Sequence, residues 1–188
     1  VVTNEEAIAQ KMHMLRDHGQ SKKYYHDVEG YNGRLDSIQA GILSRKLRLL
    51  AEWNEKRRAI ADRYNKLLAT IPGVITPFAP DSSRAVYHLY VIRAEDRAGL
   101  QKHLSEAAID TGIHYPIPLH LQKAYSSYGY STGDFPVTER IAAEILSLPM
   151  YPQLTCTQQD RVVDQISRFY SSRQPKPPVV QMPAATAL

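Results

Sequence analysis

The feature that most constrains this chain is a run of apolar residues at helical spacing. Leu35, Ile38, Ile42, Leu49, Trp53, Ile60, Tyr64, Leu67 and Ile71 follow one another at three, four or seven residues, the repeat that lines up side chains on one face of an α-helix. A single helix over 35–71 is expected, ended by Ile71-Pro72-Gly73. Leu43, Leu47 and Leu50 add a second apolar strip, so part of this helix should contact two surfaces, one of them on another subunit.

The pattern on either side is different. Val1-Val2-Thr3 reads as the end of a strand, and Thr3 with Glu6 has the spacing of a capping box opening a helix that carries Ile8, Met12 and Leu15 and stops at Gly19. A polar, aromatic loop from Lys22 to Arg34 follows. Beyond Pro77 and Pro80, Val86 to Ile92 is aromatic and β-branched, as a short strand requires. Asp96 should cap a helix through Leu100, Leu104 and Ala108, and Thr111 to Tyr115 reads as a second strand entering a proline-rich loop. Further helices are expected from near Pro136, through Ile141 and Ile145, and from Thr157, with Val162, Val163, Ile166 and Phe169 apolar. This order predicts a small α+β layer beside the long helix. Residues 171–188, rich in Pro and Ala and without an apolar period, are expected to be a disordered tail.

With 188 residues, 43% hydrophobic and 22% charged, the chain can bury one core or two small ones. Part of the formal charge of +4 is local. Arg34, Arg45, Lys46, Arg48, Lys56, Arg57, Arg58 and Arg63 outweigh Asp36, Glu52, Glu55 and Asp62. A basic face of this kind attracts nucleic acid or anions, but interspersed charge on a long helix is more often its solvated side. Cys156 stands alone, which excludes an intrachain disulfide framework and a cysteine-based zinc site and suits a cytoplasmic compartment. No stretch approaches the roughly 18 apolar residues of a membrane span.

Common motifs are missing: no Gly-x-Gly-x-x-Gly, no phosphate-binding Walker loop, no His-Glu-x-x-His and no Gly-x-Ser-x-Gly occurs. His114 and His120 lie six apart around two prolines, without the carboxylate-rich partner motif a metal needs, so no metal site is expected.

More specific are the runs that occur in order: Val1-Val2-Thr3-Asn4, Met14-Leu15-Arg16-Asp17-His18-Gly19, Gly30-Tyr31-Asn32-Gly33-Arg34-Leu35-Asp36-Ser37-Ile38-Gln39-Ala40, Gly112-Ile113-His114-Tyr115-Pro116-Ile117-Pro118-Leu119-His120 and Leu146-Ser147-Leu148-Pro149-Met150-Tyr151-Pro152. Over about residues 1–170 the chain resembles the C-terminal portion of a pyridoxal-phosphate-dependent sugar aminotransferase of the DegT/DnrJ/EryC1/StrS family. The resemblance implies fold type I, an α/β to α+β architecture that is incomplete here. Residues 1–34 would be the end of the large cofactor-binding domain with an active-site loop, 35–71 the interdomain helix and 72–170 the small C-terminal α+β domain. It also implies a homodimer with sites shared across the interface. Such an enzyme moves an amino group from an amino acid, commonly glutamate, to a ketone on a nucleotide-linked sugar, with pyridoxal 5'-phosphate as electron sink.

The family's Schiff-base lysine lies before the Val-Val-Thr-like strand, and Lys22, Lys23, Lys46, Lys56 and Lys66 are expected to be solvated, so the chain alone should not transaminate. Read from its residue type and place, Asn32 starts or caps the long helix. The resemblance instead implies that it reaches the cofactor phosphate of the other subunit, with Arg34 adding charge near that phosphate or the substrate diphosphate. Tyr25, His26 and Tyr31 would then line the sugar pocket from the partner's side, with ordinary loop packing as the other reading. His114, Tyr115 and His120 would stand at the substrate entrance, or else pack within a turn shaped by the prolines. Two further function classes stay open: a non-catalytic family member acting by association or regulation, and a basic nucleic-acid-binding module.

Overall fold

Helical spacing between 35 and 71 produces two helices rather than one. In the computed structural model, which describes residues 1–172, α1 spans Glu6–Arg16, α2 spans Ser37–Leu47 and α3 spans Leu50–Leu68. Between α2 and α3 the chain makes one tight turn, with the Leu49 amide donating to the Lys46 carbonyl at 3.0 Å. Arg45 to Leu50 contains neither Gly nor Pro, so no local signal marks this interruption. The chain divides into two units, Val1–Ala51 and Glu52 onward.

In the first unit, backbone hydrogen bonds do the work that a core does elsewhere. The last carbonyls of α1, which no helical amide reaches, are taken up by the chain that follows. Met14 accepts from Asp17 and Gly19, Leu15 from Tyr31 at 2.7 Å, and Arg16 from Gly33 at 2.8 Å. A two-stranded hairpin, β1 (Gln20–Lys22) with β2 (Tyr25–His26), projects between these contacts. Gly19 sits at φ +76°, and a Cβ there would lie 1.7 Å from the Val28 carbonyl oxygen; one on Gly30 would lie 2.2 Å from the Gly19 nitrogen. Only glycine permits this backbone crossing. Gly19 is also the one buried residue of the unit. Two expectations are corrected here. Val1 and Val2 are exposed and outside any described strand, and the Thr3–Glu6 capping box is not formed, because α1 starts after Glu5 and Thr3 Oγ1 accepts from the Glu5 amide instead.

From Glu52 onward a three-stranded antiparallel sheet is covered by helices. Its order is β3 (Val74–Ile75), β4 (Tyr90–Ala94), β5 (Ile145–Leu148). The remaining helices are α4 (Arg97–Glu106), α5 (Pro136–Glu144) and α6 (Cys156–Ser171), and two short 3-10 helices occupy Leu119–Leu121 and Lys123–Tyr128. Tyr64 and Leu68 of α3, Tyr90 and Ile92 of β4, Leu100 and Leu104 of α4, Leu146 of β5 and Ile166 of α6 are fully buried in one cluster. Two phenols in it keep polar partners: Tyr90 Oη donates to Asn65 Oδ1 at 2.6 Å and Tyr64 Oη to the Pro149 carbonyl at 3.2 Å. Burial pushes both phenols well above the usual tyrosine range.

Several boundaries move. The expected strand at Val86–Ile92 begins at Tyr90 and runs to Ala94, because its register is set by pairing with β3 and β5. Thr111–Tyr115 shrinks to one bridge, Gly112 with Ser147. Ile145, expected in the α5 helix, belongs to β5. The last helix opens at Thr155, not Thr157, through a capping box with Gln158. Asp96 caps α4 as expected, accepting from the Gly99 amide. The basic surplus of α3 is largely spent within its own unit. Lys56 pairs with Glu52, Arg58 with Glu55 and Arg63 with Asp160, while Arg57 donates to the carbonyls of Tyr87, His88 and Met150. Among the described residues no helix is long and apolar enough to cross a membrane. The expected tail lies, beyond Ser171 and Ser172, outside the described residues.

Candidate functional site

The candidate site residues fall into two groups, one in each unit. In the first, the backbone bonds from Tyr31 and Gly33 to the end of α1 hold residues 31–34 extended, with Asp17 and Asn32 bridged. Alternation along an extended segment then sends neighbouring side chains to opposite sides. Tyr31 and Gly33 line an open apolar groove of about 750 Å³ with Met12, His13, Leu15 and Arg16 of α1. Asn32 and Arg34 line a separate polar pocket of about 460 Å³ with His18, Leu35, Asp36 and Ser37. Tyr31 therefore does not share a pocket with Asn32 and Arg34.

The polar pocket lies at the start of α2, and its cap is not Asn32. Asp36 takes that position, its carboxylate accepting from the amides of Ile38 at 2.8 Å and Gln39 at 3.4 Å. The capping reading of Asn32 is thereby corrected. An Asp followed at the third position by Gln39 is a legible start signal that the periodicity argument passed over. The Asn32 carboxamide makes no hydrogen bond among the described residues. Arg34 is exposed and has one long contact, Nη1 to Asp17 Oδ1 at 3.5 Å. Two donors with little else to bind thus stand at the electropositive end of a helix, a donor set that suits a phosphate group.

Tyr25 and His26 stand on the hairpin. Tyr25 is exposed, with Lys22 Nζ 5.6 Å from its ring centre. His26 Nδ1 lies 2.8 Å from the His18 carbonyl oxygen. Since a carbonyl only accepts, Nδ1 carries the hydrogen of this bond, and Nε2 is left outside it. Lys23 Nζ lies over the Tyr24 ring at 5.0 Å, so both lysines of this turn rest on exposed aromatic faces.

The second group gathers around β5 and α5. His114 Nδ1 is 2.9 Å from Ser147 Oγ, on the residue whose backbone also pairs with Gly112. Tyr115 is 75% exposed and meets the His114 ring edge-on at 5.8 Å. It borders a mainly apolar groove of about 470 Å³ with Ile117, Leu119 and, from α5, Ile141. His120 is different, with only 7% of its side chain exposed. Its Nε2 donates to Glu139 Oε1 at 3.0 Å, and its ring packs 4.7 Å from that of Phe135. Glu139, which the sequence reading did not single out, also accepts from the amides of Gly133 and Phe135. The Gly133 amide first, then His120, hold its carboxyl below the usual carboxylate range. Among the described residues no group of three or more His, Cys, Asp or Glu side chains is placed to hold a metal ion.

Comparison with known proteins agrees across sequence and fold. Residues 1–167 match the model of the DegT/DnrJ/EryC1/StrS aminotransferase family. A pleiotropic regulatory protein of Geobacillus stearothermophilus is 46% identical over 172 residues, covering 90% of this chain and 46% of that protein. A dTDP-3-amino-3,4,6-trideoxy-alpha-D-glucose transaminase of Streptomyces venezuelae is 40% identical over 169 residues, covering 90% and 45%. Among solved structures, S. venezuelae DesV in complex with a ketimine intermediate superposes with a TM-score of 0.84 at 38% identity, covering 90% of this chain and 46% of that one. The chain spans about half the length of the curated relatives it matches.

Proposed function

This chain belongs to the DegT/DnrJ/EryC1/StrS aminotransferase family, and from that premise we propose that it forms the phosphate-holding and sugar-recognising part of a pyridoxal-phosphate-dependent transaminase. The substrates are an amino acid, glutamate first among them, and a nucleotide-linked keto-sugar. The observation that carries the reading is the polar pocket at the start of α2. Asp36 already supplies the cap, which leaves the Asn32 carboxamide and the Arg34 guanidinium as donors for an outside anion. When bound, the cofactor stores the amino group and withdraws electrons from the reacting carbon.

The chain's own residues bind and orient. Asn32 donates its NH2 to a cofactor phosphate oxygen held by the other subunit of a homodimer. Arg34 supplies positive charge to the same phosphate or to the sugar's diphosphate. Tyr25 offers a ring face to the sugar, and His26, anchored through Nδ1, leaves Nε2 for a sugar hydroxyl. Tyr31, exposed beside the groove along α1, keeps Asn32 in register through its backbone bonds to Leu15 and His18. At the entrance loop Tyr115 presents the exposed ring, while His114 and His120 hold the loop through Ser147 and Glu139. No described lysine has the surroundings of a cofactor-bearing amine, so that role is assigned to none of them.

The regulatory name of the Geobacillus relative supports a second reading, a non-catalytic partner that acts by association. One experiment separates the two. Complete subunits carrying Asn32→Ala are mixed with subunits lacking the cofactor lysine, and amino transfer from glutamate to nucleotide-linked keto-sugars is followed as 2-oxoglutarate release. A mixed dimer restores one site built wholly from unmutated parts, so activity returns. If exchange of subunits is demonstrated and the mixture stays inactive, Asn32 does not act across the interface. If unmutated enzyme transfers no amino group to any such sugar, the transaminase reading fails and the association reading stands.

A further inference from the structure

Between Asp110 and Ile141 no residue is buried. Ile113 packs against the core at the start of this segment, but beyond it little apolar burial opposes the conformational entropy, and the loop is held by the polar contacts it makes. Those contacts converge on one side chain. Glu139, in the first turn of α5, accepts from the Gly133 amide at 2.9 and 3.0 Å through its two oxygens, from the Phe135 amide at 3.3 Å and from His120 Nε2 at 3.0 Å. The carboxylate reaches back to the amide of Phe135, the residue that precedes its own helix, where negative charge is favoured. It ties both flanks of the second 3-10 helix to that point, because His120, within Leu119–Leu121, precedes Lys123–Tyr128 and Gly133 follows it. Phe135 completes the joint, its ring meeting those of His120 and Tyr130 at 4.7 and 5.2 Å.

We propose that Glu139 is a positioning residue for the sugar nucleotide: by fastening the loop from His120 to Phe135 it fixes the groove at which Tyr115, Ile117 and Leu119 are presented. The inference rests on the transaminase reading for the identity of the ligand, and on the hydrogen bonds alone for the clamp. Glu139 touches no reacting atom. Its loss therefore frees the groove's wall without removing a group from the chemistry, and acts on the affinity for the larger substrate.

The test compares Glu139→Ala and the isosteric Glu139→Gln with the parent in the assembled, cofactor-loaded enzyme. Amide exchange at Gly133 and Phe135 reads the clamp, and steady-state kinetics with glutamate and a nucleotide-linked keto-sugar read its use. In Glu139→Ala, exchange at both amides accelerates and KM for the sugar nucleotide rises about tenfold, with kcat and KM for glutamate within about twofold of the parent. Glu139→Gln recovers part of both effects, since its carbonyl still accepts one amide. Unchanged exchange overturns the clamp. Faster exchange with an unaltered sugar KM, or an equal loss on both substrates together with a lowered melting temperature, shows a merely structural residue and overturns the positioning role. Should the parent enzyme not use sugar nucleotides at all, the reading of function fails separately, and the exchange arm still decides whether Glu139 fastens the loop.

Discussion

Residues 1–51 and residues 52–172 solve the folding problem differently. The second unit owns a core in which Tyr64, Leu68, Tyr90, Ile92, Leu100, Leu104, Leu146 and Ile166 are all removed from water. The first buries Gly19 and nothing else, and its form is drawn by backbone hydrogen bonds at the end of α1 and by a glycine crossing. On α2, Ile38, Ile42, Leu43 and Leu47 are each more than half exposed. An apolar strip left in water is a surface for association. The two units are therefore held differently, one by a buried apolar core and the other by backbone hydrogen bonds and a glycine crossing, with an apolar strip left exposed beside them.

A pair of truncations separates the two units most strongly. Leu104→Ala removes a fully buried side chain and should destabilise the chain by about 2–5 kcal/mol, whereas Ile42→Ala on α2 should change stability by no more than about 0.5 kcal/mol. Urea unfolding of each variant checks both. If Ile42→Ala costs as much as Leu104→Ala, the first unit has a core of its own.

Next in size is the effect of Asn32→Ala on the cofactor. Loss of a hydrogen bond to a charged phosphate is worth about 1.5–3 kcal/mol, so cofactor affinity in the assembled enzyme should fall about ten- to a hundredfold while helix content stays the same. Equilibrium titration with pyridoxal phosphate decides it. A normal affinity would remove Asn32 from the site.

Smaller effects come from the two caps. Asp36→Ala and Thr155→Ala each remove a side-chain acceptor at a helix start and should cost about 1 kcal/mol. Thr155→Ala should appear as a lower urea midpoint, since α6 belongs to the core. Asp36→Ala should instead show as fraying of α2 in amide exchange, with the midpoint held. Equal shifts in midpoint would contradict the division into differently stabilised units.

The smallest expected effect is acid loosening of the entrance loop. Glu139 has a lowered folded-state pKa, chiefly from the Gly133 amide and then from His120. Its stabilising contribution is therefore complete above the ordinary carboxylate value and is lost as pH falls through the lower folded one. Amide exchange at Gly133 and Phe135, corrected for intrinsic rate, should show less protection only at pH below the usual carboxylate range. Loosening that began near neutrality would assign the effect to another group.

Apolar spacing at i, i+3 and i+4 and caps such as Asp96 are local properties of the chain, so the sequence marked which stretches are helical but not every boundary: the helix read over 35–71 is two, and the last opens at Thr155. The order of its motifs also determined the family. It carried signals that the reading missed, Asp36 before Gln39 and Thr155 before Gln158, which are equally local. Only the tertiary structure decided the rest. The break after Leu47 has no residue that marks it. Leu146-Ser147-Leu148 joined β5 because β4 offers it a ladder, and of the strand expected over Thr111–Tyr115 only Gly112 bridges to its other side, at Ser147. Tyr31 and Asn32, neighbours in sequence, were sent to different pockets by the two amides that bind the end of α1. Glu139 gained its role only when Gly133, Phe135 and His120 converged on it. Pairing across the chain depends on which distant groups meet, and the spacing of residues along a sequence does not encode that.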